Sequence, residues 1–148
     1  MMPLPPWHAE IVELHEFFQA WLDGTLPPTD AAFARLVDST GAQFTLISPS
    51  GELATREALL RDLRAAHGSR PGWRMWIERA QLRCQRGGLA VATYEEWQQD
   101  AAGTTARIST AVLAEQAGAP NGLAWLHVHE TWLPHGSVEE DTYEATDR

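Results

Sequence analysis

Lysine is absent from this chain of 148 residues, so all eleven of its Lys and Arg positions are arginine. Asp and Glu together number twenty, and the formal net charge is −9. Because phosphate binding needs a clustered basic face, we expect no nucleic-acid partner. Arginines do recur between residues 56 and 79, but acidic residues interrupt them. That pattern favours a solvated face with ion pairs.

Cysteine and long apolar runs are also scarce. Cys84 is the single cysteine, which excludes an intrachain disulfide and a cysteine-based zinc cluster and is typical of a reducing compartment. No stretch approaches the ~20 apolar residues of a membrane span. Residues 1–7 contain prolines where a signal peptide has a basic start and an apolar run. We therefore expect a cytoplasmic protein with no membrane partner.

Length and pattern predict one domain over residues 1–133, followed by an acidic mobile tail over residues 134–148. Apolar residues recur at helical spacing over residues 7–22. A second, short helix follows with Thr29 or Asp30 as its cap, and residues 43–48 predict a short strand. A third helix begins near Thr55, which is a suitable cap.

From residue 73 onward the pattern changes to strands. Four runs, separated by short glycine-bearing links, cover residues 73–85, 89–99, 104–116 and 123–133. Links this short exclude parallel pairing between successive runs, so the runs predict an antiparallel meander. The expected fold class is α+β, with a curved four-stranded meander wrapped around three N-terminal helices and one short extra strand.

The last run concentrates the chemistry. Strict alternation places Trp125, His127, His129 and Thr131 on one face. Two imidazoles beside a hydroxyl and an indole are costly to pack as plain core. This face is therefore a candidate cavity wall, and His127 and His129 are candidate bases.

The order of elements, together with Ser48-Pro49-Ser50-Gly51, Thr105-Ala106-Arg107 and the segment 126–131, resembles the nuclear transport factor 2-like superfamily. More narrowly, it is similar to the SnoaL-like and calcium/calmodulin-dependent kinase II association-domain branch. The resemblance implies a cone-shaped fold around one pocket, in a homodimer. Members include isomerases, dehydratases, cyclases and proteins that only bind, so the site must decide function. Enzymes of this fold that act on steroid or polyketide rings use a carboxylate base together with a tyrosine or histidine donor. This sequence has no clear match to that full set of residues.

Arg107 is the strongest anchor candidate, because a guanidinium inside a cavity binds a carboxylate bidentately and keeps its charge. The alternative is a structural ion pair with Glu95 or Glu96. Strict alternation places Tyr94 and Glu96 on one face of this strand. It places Glu95 and Trp97 on the opposite face. Glu96 is the third catalytic candidate, since a carboxylate near a histidine orients the tautomer that a general base needs.

His15 lies at the edge of the apolar stripe of the first helix, where it is a candidate ligand contact or a boundary residue. A rival interpretation makes His127 and His129 zinc or iron ligands, as in cupin barrels. The cupin pair comes early in its barrel, whereas this pair comes last and His135 lies beyond a proline. We expect no metal and no cofactor.

Three functions stay open. The first is a homodimer that binds a small anionic or carbonyl ligand through Arg107, Tyr94, His127 and His129. The second is an isomerase, dehydratase or hydrolase with a histidine base. The third is an interaction module whose exposed sheet face pairs subunits without a ligand.

Overall fold

The computed structural model describes residues 2–134, which form three helices and a six-stranded sheet. The predicted α+β class is confirmed. The acidic tail predicted over residues 134–148 lies, except for Pro134, outside the described residues. In chain order the elements are α1 Pro6–Leu22, α2 Asp30–Ser39, β1 Thr40–Ile47, β2 Leu53–Thr55, α3 Arg56–Ala65, β3 Arg74–Arg86, β4 Leu89–Asp100, β5 Gly103–Glu115, a 3₁₀ turn Pro120–Gly122 and β6 Leu123–Trp132.

The helix starts follow from local chemistry. Helix α1 begins at Pro6, whose missing N–H and fixed φ suit a first helical turn. Thr29 caps α2, since its hydroxyl accepts from the Ala32 amide, and Thr55 caps α3 through the Ala58 amide. Both threonine caps were among the positions that the sequence predicted.

The strands lie in the order β2-β1-β6-β5-β4-β3, and β3 to β6 form the predicted antiparallel meander. Strand β1 joins the free edge of β6 in parallel, which is possible because the whole meander lies between them in sequence. It begins at Thr40, three residues before the predicted start at residue 43. The three-residue strand β2, which the sequence did not predict as a strand, pairs with β1.

The helices cover one face of the sheet and form a single core with it. We call this the inner face and the opposite one the outer face. Trp21 of α1 is fully buried, and its indole N–H donates to the Leu63 carbonyl over 2.7 Å, which ties α1 to α3. The buried apolar core residues are Ile11, Leu14, Phe17, Trp21, Leu22, Phe33, Leu36, Phe44, Trp73, Ala90, Ala92, Tyr94, Ala111, Leu113, Leu123, Trp125 and Val128.

A β-bulge in β6 decides which residues of that strand face inward. Val112 pairs with His127 and Leu113 pairs with Trp125, so Leu126 is an extra residue with no partner on β5. An extra residue breaks the alternation and exchanges the faces beyond it. Trp125 is therefore buried on the inner face, whereas His127 turns to the outer face.

No helix within residues 2–134 is long and apolar enough to cross a membrane. The cytoplasmic location stays a prediction.

Candidate functional site

A cavity of about 230 Å³ lies between the helices and the inner face of the sheet. One side of its wall is apolar and aromatic, and the other carries charged and polar groups. The apolar and aromatic side is lined by Leu14, Phe18, Leu22, Leu36, Phe44, Leu46, Leu59, Leu63, Trp73, Met75, Trp125 and Val128. The polar side is lined by His15, Thr40, Arg70, Tyr94, Glu96, Gln98, Arg107 and Glu130.

Arg107 lies at the centre of the polar side. Its Nη1 donates to Oε1 of Glu130 over 3.3 Å, and its Nε lies 3.7 Å from Oε2 of Glu96. These contacts arise because Glu96 and Arg107 pair across β4 and β5 while Glu130 lies on the same face of β6. The distance to Glu96 is too long for a hydrogen bond, and the buried Nε–H has no acceptor among residues 2–134. The guanidinium thus has two carboxylate neighbours and a buried Nε–H without an acceptor in the described part of the chain.

His15 reaches this cluster from helix α1. Its Nδ1 lies 2.7 Å from the Ile11 carbonyl, and its Nε2 lies 3.1 Å from Oε1 of Glu96. Because a carbonyl oxygen only accepts, Nδ1 donates to Ile11, and Nε2 makes the hydrogen bond with Glu96. The ring is 4% exposed. A buried imidazole and a buried carboxylate are therefore hydrogen-bonded to each other on the cavity wall.

The two buried glutamates differ in their electrostatics. Burial alone pushes the pKa of Glu96 upward, but the hydrogen bond and charge of His15 and the charge of Arg107 hold the pKa of that carboxyl below its ordinary value. For Glu130, burial and the negative charge of Glu96 raise the pKa, and Arg107 offsets this only in part. Glu96 is thus the carboxylate that stays ionised, and Glu130 is the one that takes a proton more readily.

Tyr94 completes the polar wall. It is 2% exposed and lies across from Ser109 in the β4–β5 pairing. Burial, reinforced by the charges of Glu96 and Glu130, raises its pKa well above the ordinary value. The phenol therefore keeps its proton at neutral pH and is a hydrogen-bond donor.

Five of the residues singled out in the sequence come together at this cavity. Helix α1 contributes His15, strand β4 contributes Tyr94 and Glu96, and Arg107 and Trp125 come from β5 and β6. The alternation expected in β4 is seen, since Glu95 faces outward and pairs with Arg79 over 2.7 Å. Of the two expected partners for Arg107, the structure places Glu96 beside it.

His127, His129 and Thr131 do not line the cavity, so their assignment to its wall is corrected. They lie on the outer face because of the bulge at Leu126. His127 accepts or donates a hydrogen bond with the Thr45 hydroxyl over 2.8 Å, and the two imidazole centroids are 6.4 Å apart. Within residues 2–134 neither histidine has an acidic partner.

Sequence reasoning missed Glu130, Ser109, Gln98 and Arg70 as site residues. The available signal for Glu130 was its alternation with Val128, which places a carboxylate on an otherwise apolar face. Strict alternation along β6, which takes no account of the bulge at Leu126, placed Val128 and Glu130 on the face opposite Trp125.

The metal interpretation finds no support in the described part of the chain. No group of three or more His, Cys, Asp or Glu is arranged there to hold a metal ion. His127 and His129 therefore lack a third ligand among residues 2–134, and His135 lies outside the described residues.

Fold and site together define an α+β domain of the nuclear transport factor 2-like superfamily with a partly polar cavity between its helices and its sheet. A solved NTF-2 like protein of unknown function from Pseudomonas aeruginosa is 30% identical, with a TM-score of 0.78, covering 87% of this chain and 99% of that one. The hub of CaMKII from S. rosetta shares the fold at 17% identity and a TM-score of 0.63, over 90% of this chain and 98% of that one. The predicted superfamily is confirmed.

The chain belongs to the sucrose-6-phosphate phosphohydrolase C-terminal family, whose profile matches residues 7–134. It is similar to a probable sucrose-phosphatase 2 of Arabidopsis thaliana, with 27% identity over 139 residues, and to sucrose-phosphatase 1 of Nicotiana tabacum, with 28% identity over 137 residues. These matches cover 93% and 90% of this chain. The chain spans 32% of the length of each of these two relatives.

Proposed function

We propose that this chain is a small-molecule-binding domain whose internal cavity receives a small polar ligand. The main support for the proposal is the buried Nε–H of Arg107, which has no acceptor among the residues that the structure describes. A buried donor without a partner costs roughly 1–3 kcal/mol. An oxygen atom of a ligand, whether carboxylate, carbonyl or hydroxyl, supplies the acceptor and removes that cost.

The make-up of the cavity supports the same proposal. Ligand sites are mostly apolar, with a few convergent polar groups that orient the ligand. Here Tyr94 donates, Glu96 and Glu130 accept, and Trp73 and Trp125 supply flat apolar surface. At about 230 Å³ the cavity is smaller than the ~300–1,000 Å³ of drug-sized sites, so the ligand is small.

The family indicates where such a ligand would come from. The full-length relatives are named as sucrose-phosphatases, and this chain matches about a third of their length. We propose that this domain binds a small molecule that belongs to sugar metabolism. Its cavity carboxylates are already held by Arg107 and His15, which suits binding better than nucleophilic attack.

The test is a thermal-shift panel of small carboxylates, planar aromatic acids, neutral carbonyl compounds and simple sugars. A ligand at about 100 times its Kd stabilises the native state by ~2.7 kcal/mol and so raises Tm. We expect Arg107→Lys to abolish the shift, because lysine cannot reproduce the Nε–H. Arg83→Lys, on the outer end of β3, is the matched control and should keep it. No shift with any compound, or an equal shift in Arg107→Lys, would contradict the proposal.

A second candidate function is proton transfer, which the His15–Glu96 contact of 3.1 Å favours. A base must lie within hydrogen-bond reach of its partner and of the cavity space. His15 and Glu96 meet that requirement, whereas His127 and His129 do not line the cavity. The pair is thus the candidate acid or base for a carbonyl ligand with an acidic neighbouring C–H.

This activity is measured as deuterium uptake at that carbon, followed by NMR in D₂O with carbonyl compounds that raise Tm. His15→Asn should abolish the uptake while His127→Asn, the control on the outer face, should leave it unchanged. If deuterium uptake is the same with and without the protein for every such compound, proton transfer by His15 and Glu96 is ruled out as the function.

We also propose that the chain associates with itself through the outer face of the sheet. Ile47, Ile108 and Val112 are half-buried apolar residues there, beside His127. Light scattering across a concentration series should show a dimer, and Val112→Glu should shift it to monomer. A monomer at all concentrations would contradict this proposal and leave the cavity proposal intact.

A further inference from the structure

We infer that the cavity selects an uncharged, hydroxyl-rich ligand of the saccharide class and rejects the phosphorylated form of the same molecule. This inference rests on the proposed binding function and adds the class of ligand.

The positive charge of Arg107 is already balanced. Glu130 lies 3.3 Å and Glu96 3.7 Å from the guanidinium, and His15 lies 3.1 Å from Glu96. Both carboxylates next to Arg107 are thus used to balance its charge. An added phosphate group would find no free counter-charge there and would bring unpaired negative charge into a poorly screened interior, next to two carboxylates.

The hydrogen-bonding capacity of the wall fits hydroxyl groups. The Nε–H of Arg107 needs an acceptor. Glu130 has room for donors, because within residues 2–134 its hydrogen bonds are long, 3.3 Å to Arg107 and 3.5 Å to the Ser109 hydroxyl. A hydroxyl both donates and accepts, whereas carbonyl and phosphate oxygens only accept. Vicinal hydroxyls on one small molecule satisfy a donor and an acceptor placed this close together.

The aromatic part of the cavity lining fits the carbon skeleton of such a ligand. Trp73 and Trp125, which are 3% and 2% exposed, present aromatic surface to the cavity. The C–H faces of a sugar ring supply matching apolar area.

Arg70 is the group that could reverse this selection. It lines the cavity, and its guanidinium lies 4.7 Å from the Trp73 ring centroid. Because Arg70 is exposed to solvent, its attraction for an anion is screened. The carboxylates inside the cavity are less screened, so repulsion should outweigh that attraction.

The experiment is isothermal titration of the protein with glucose, fructose and sucrose, and with glucose 6-phosphate and fructose 6-phosphate. We expect at least one neutral sugar to bind, and to bind about tenfold or more tightly than the phosphate esters. Glu130→Gln removes one negative charge from the wall and should reduce this ratio. Glu95→Gln removes the same charge from the neighbouring outer face of β4 and should leave the ratio unchanged.

The outcomes separate the two proposals. Equal or tighter binding of a phosphate ester overturns the inference, and loss of that binding in Arg70→Ala would locate the anion at Arg70. If other small molecules raise Tm but no sugar binds, the saccharide class is wrong and the binding function stands. If nothing binds at all, the binding function fails with it.

Discussion

Trp125 and Glu10 are joined by a hydrogen bond in which the indole Nε1 donates to Oε2 of the carboxylate over 2.9 Å. Glu10 is fully buried, and its oxygens also accept from Arg35 at 2.8 and 3.1 Å and from the Asn121 amide at 2.9 Å. Through these hydrogen bonds the Glu10 carboxylate connects α1 to α2, to the 3₁₀ turn and to β6. Because Trp125 lines the cavity, the same carboxylate also fixes the orientation of an indole on the cavity wall.

Replacing Glu10 with alanine should destabilise the protein by about 3 kcal/mol or more, because it leaves Arg35 and the Trp125 N–H without their buried partner. The measurement is urea unfolding at neutral pH. Glu13→Ala is the control, since that side chain is 50% exposed and contacts Arg35 only at 3.6 Å. It should cost no more than ~1 kcal/mol. Equal costs for the two variants would show that the buried carboxylate is not a structural centre.

The two cavity glutamates should give stability profiles of opposite slope. Burial and the charge of Glu96 raise the pKa of Glu130 above 4.5, so its contribution is present below that value and is lost as pH rises through the folded-state pKa. His15 and Arg107 lower the pKa of Glu96 despite its burial, so its contribution is present above 4.5 and is lost as pH falls through the folded-state pKa.

These signs are tested with Tm measured from about pH 4 to pH 7. Relative to wild type, Glu130→Gln should gain Tm as pH rises, because the variant lacks a group that is costly to ionise. Glu96→Gln should lose Tm over the same rise, because the variant lacks a group that is favourable to ionise. Slopes of the same sign for the two variants would contradict the assignment of the ionised carboxylate to Glu96.

Local signals in the sequence were sufficient for much of this fold. Helical spacing over residues 7–22, threonine caps and glycine-bearing links each act within a few residues, and all of them were predicted. For Arg107 the sequence left an ion pair with Glu95 or Glu96 open as an alternative, and the register of β4 and β5 places Glu96 beside it. The face of His127 did not follow, because a bulge depends on how β5 and β6 pair and leaves no local mark. His15 was predicted only as a contact, since its carboxylate partner is 81 residues away.

Two glycines with the same backbone conformation should differ in their tolerance of alanine. Gly24 has φ +85° and Gly51 has φ +89°, a region that costs an alanine ~1–2 kcal/mol. A Cβ on Gly24 would lie 3.3 Å from the Gly68 backbone, whereas one on Gly51 would meet nothing within 4 Å. Gly24→Ala should therefore be the more destabilising of the two in urea unfolding. Equal costs would mean that the Gly24–Gly68 approach adjusts freely.

Leu126 is the residue on which the placement of the site depends, because it is the extra residue of the β6 bulge. Deleting it makes Trp125 and His127 consecutive, and strict alternation then places them on opposite faces, which are the faces they already have. We therefore expect Trp125 to stay in the core and the deletion to cost less than the ~3–5 kcal/mol of removing a buried tryptophan. Leu126→Ser keeps the number of residues and alters a side chain that is 37% exposed, so it should cost less than ~1 kcal/mol. Urea unfolding measures both, and near-ultraviolet circular dichroism reports the Trp125 environment. A deletion that costs ~3 kcal/mol or more and changes the Trp125 signal would mean that Trp125 and His127 share a face, and would return His127 and His129 to the cavity wall.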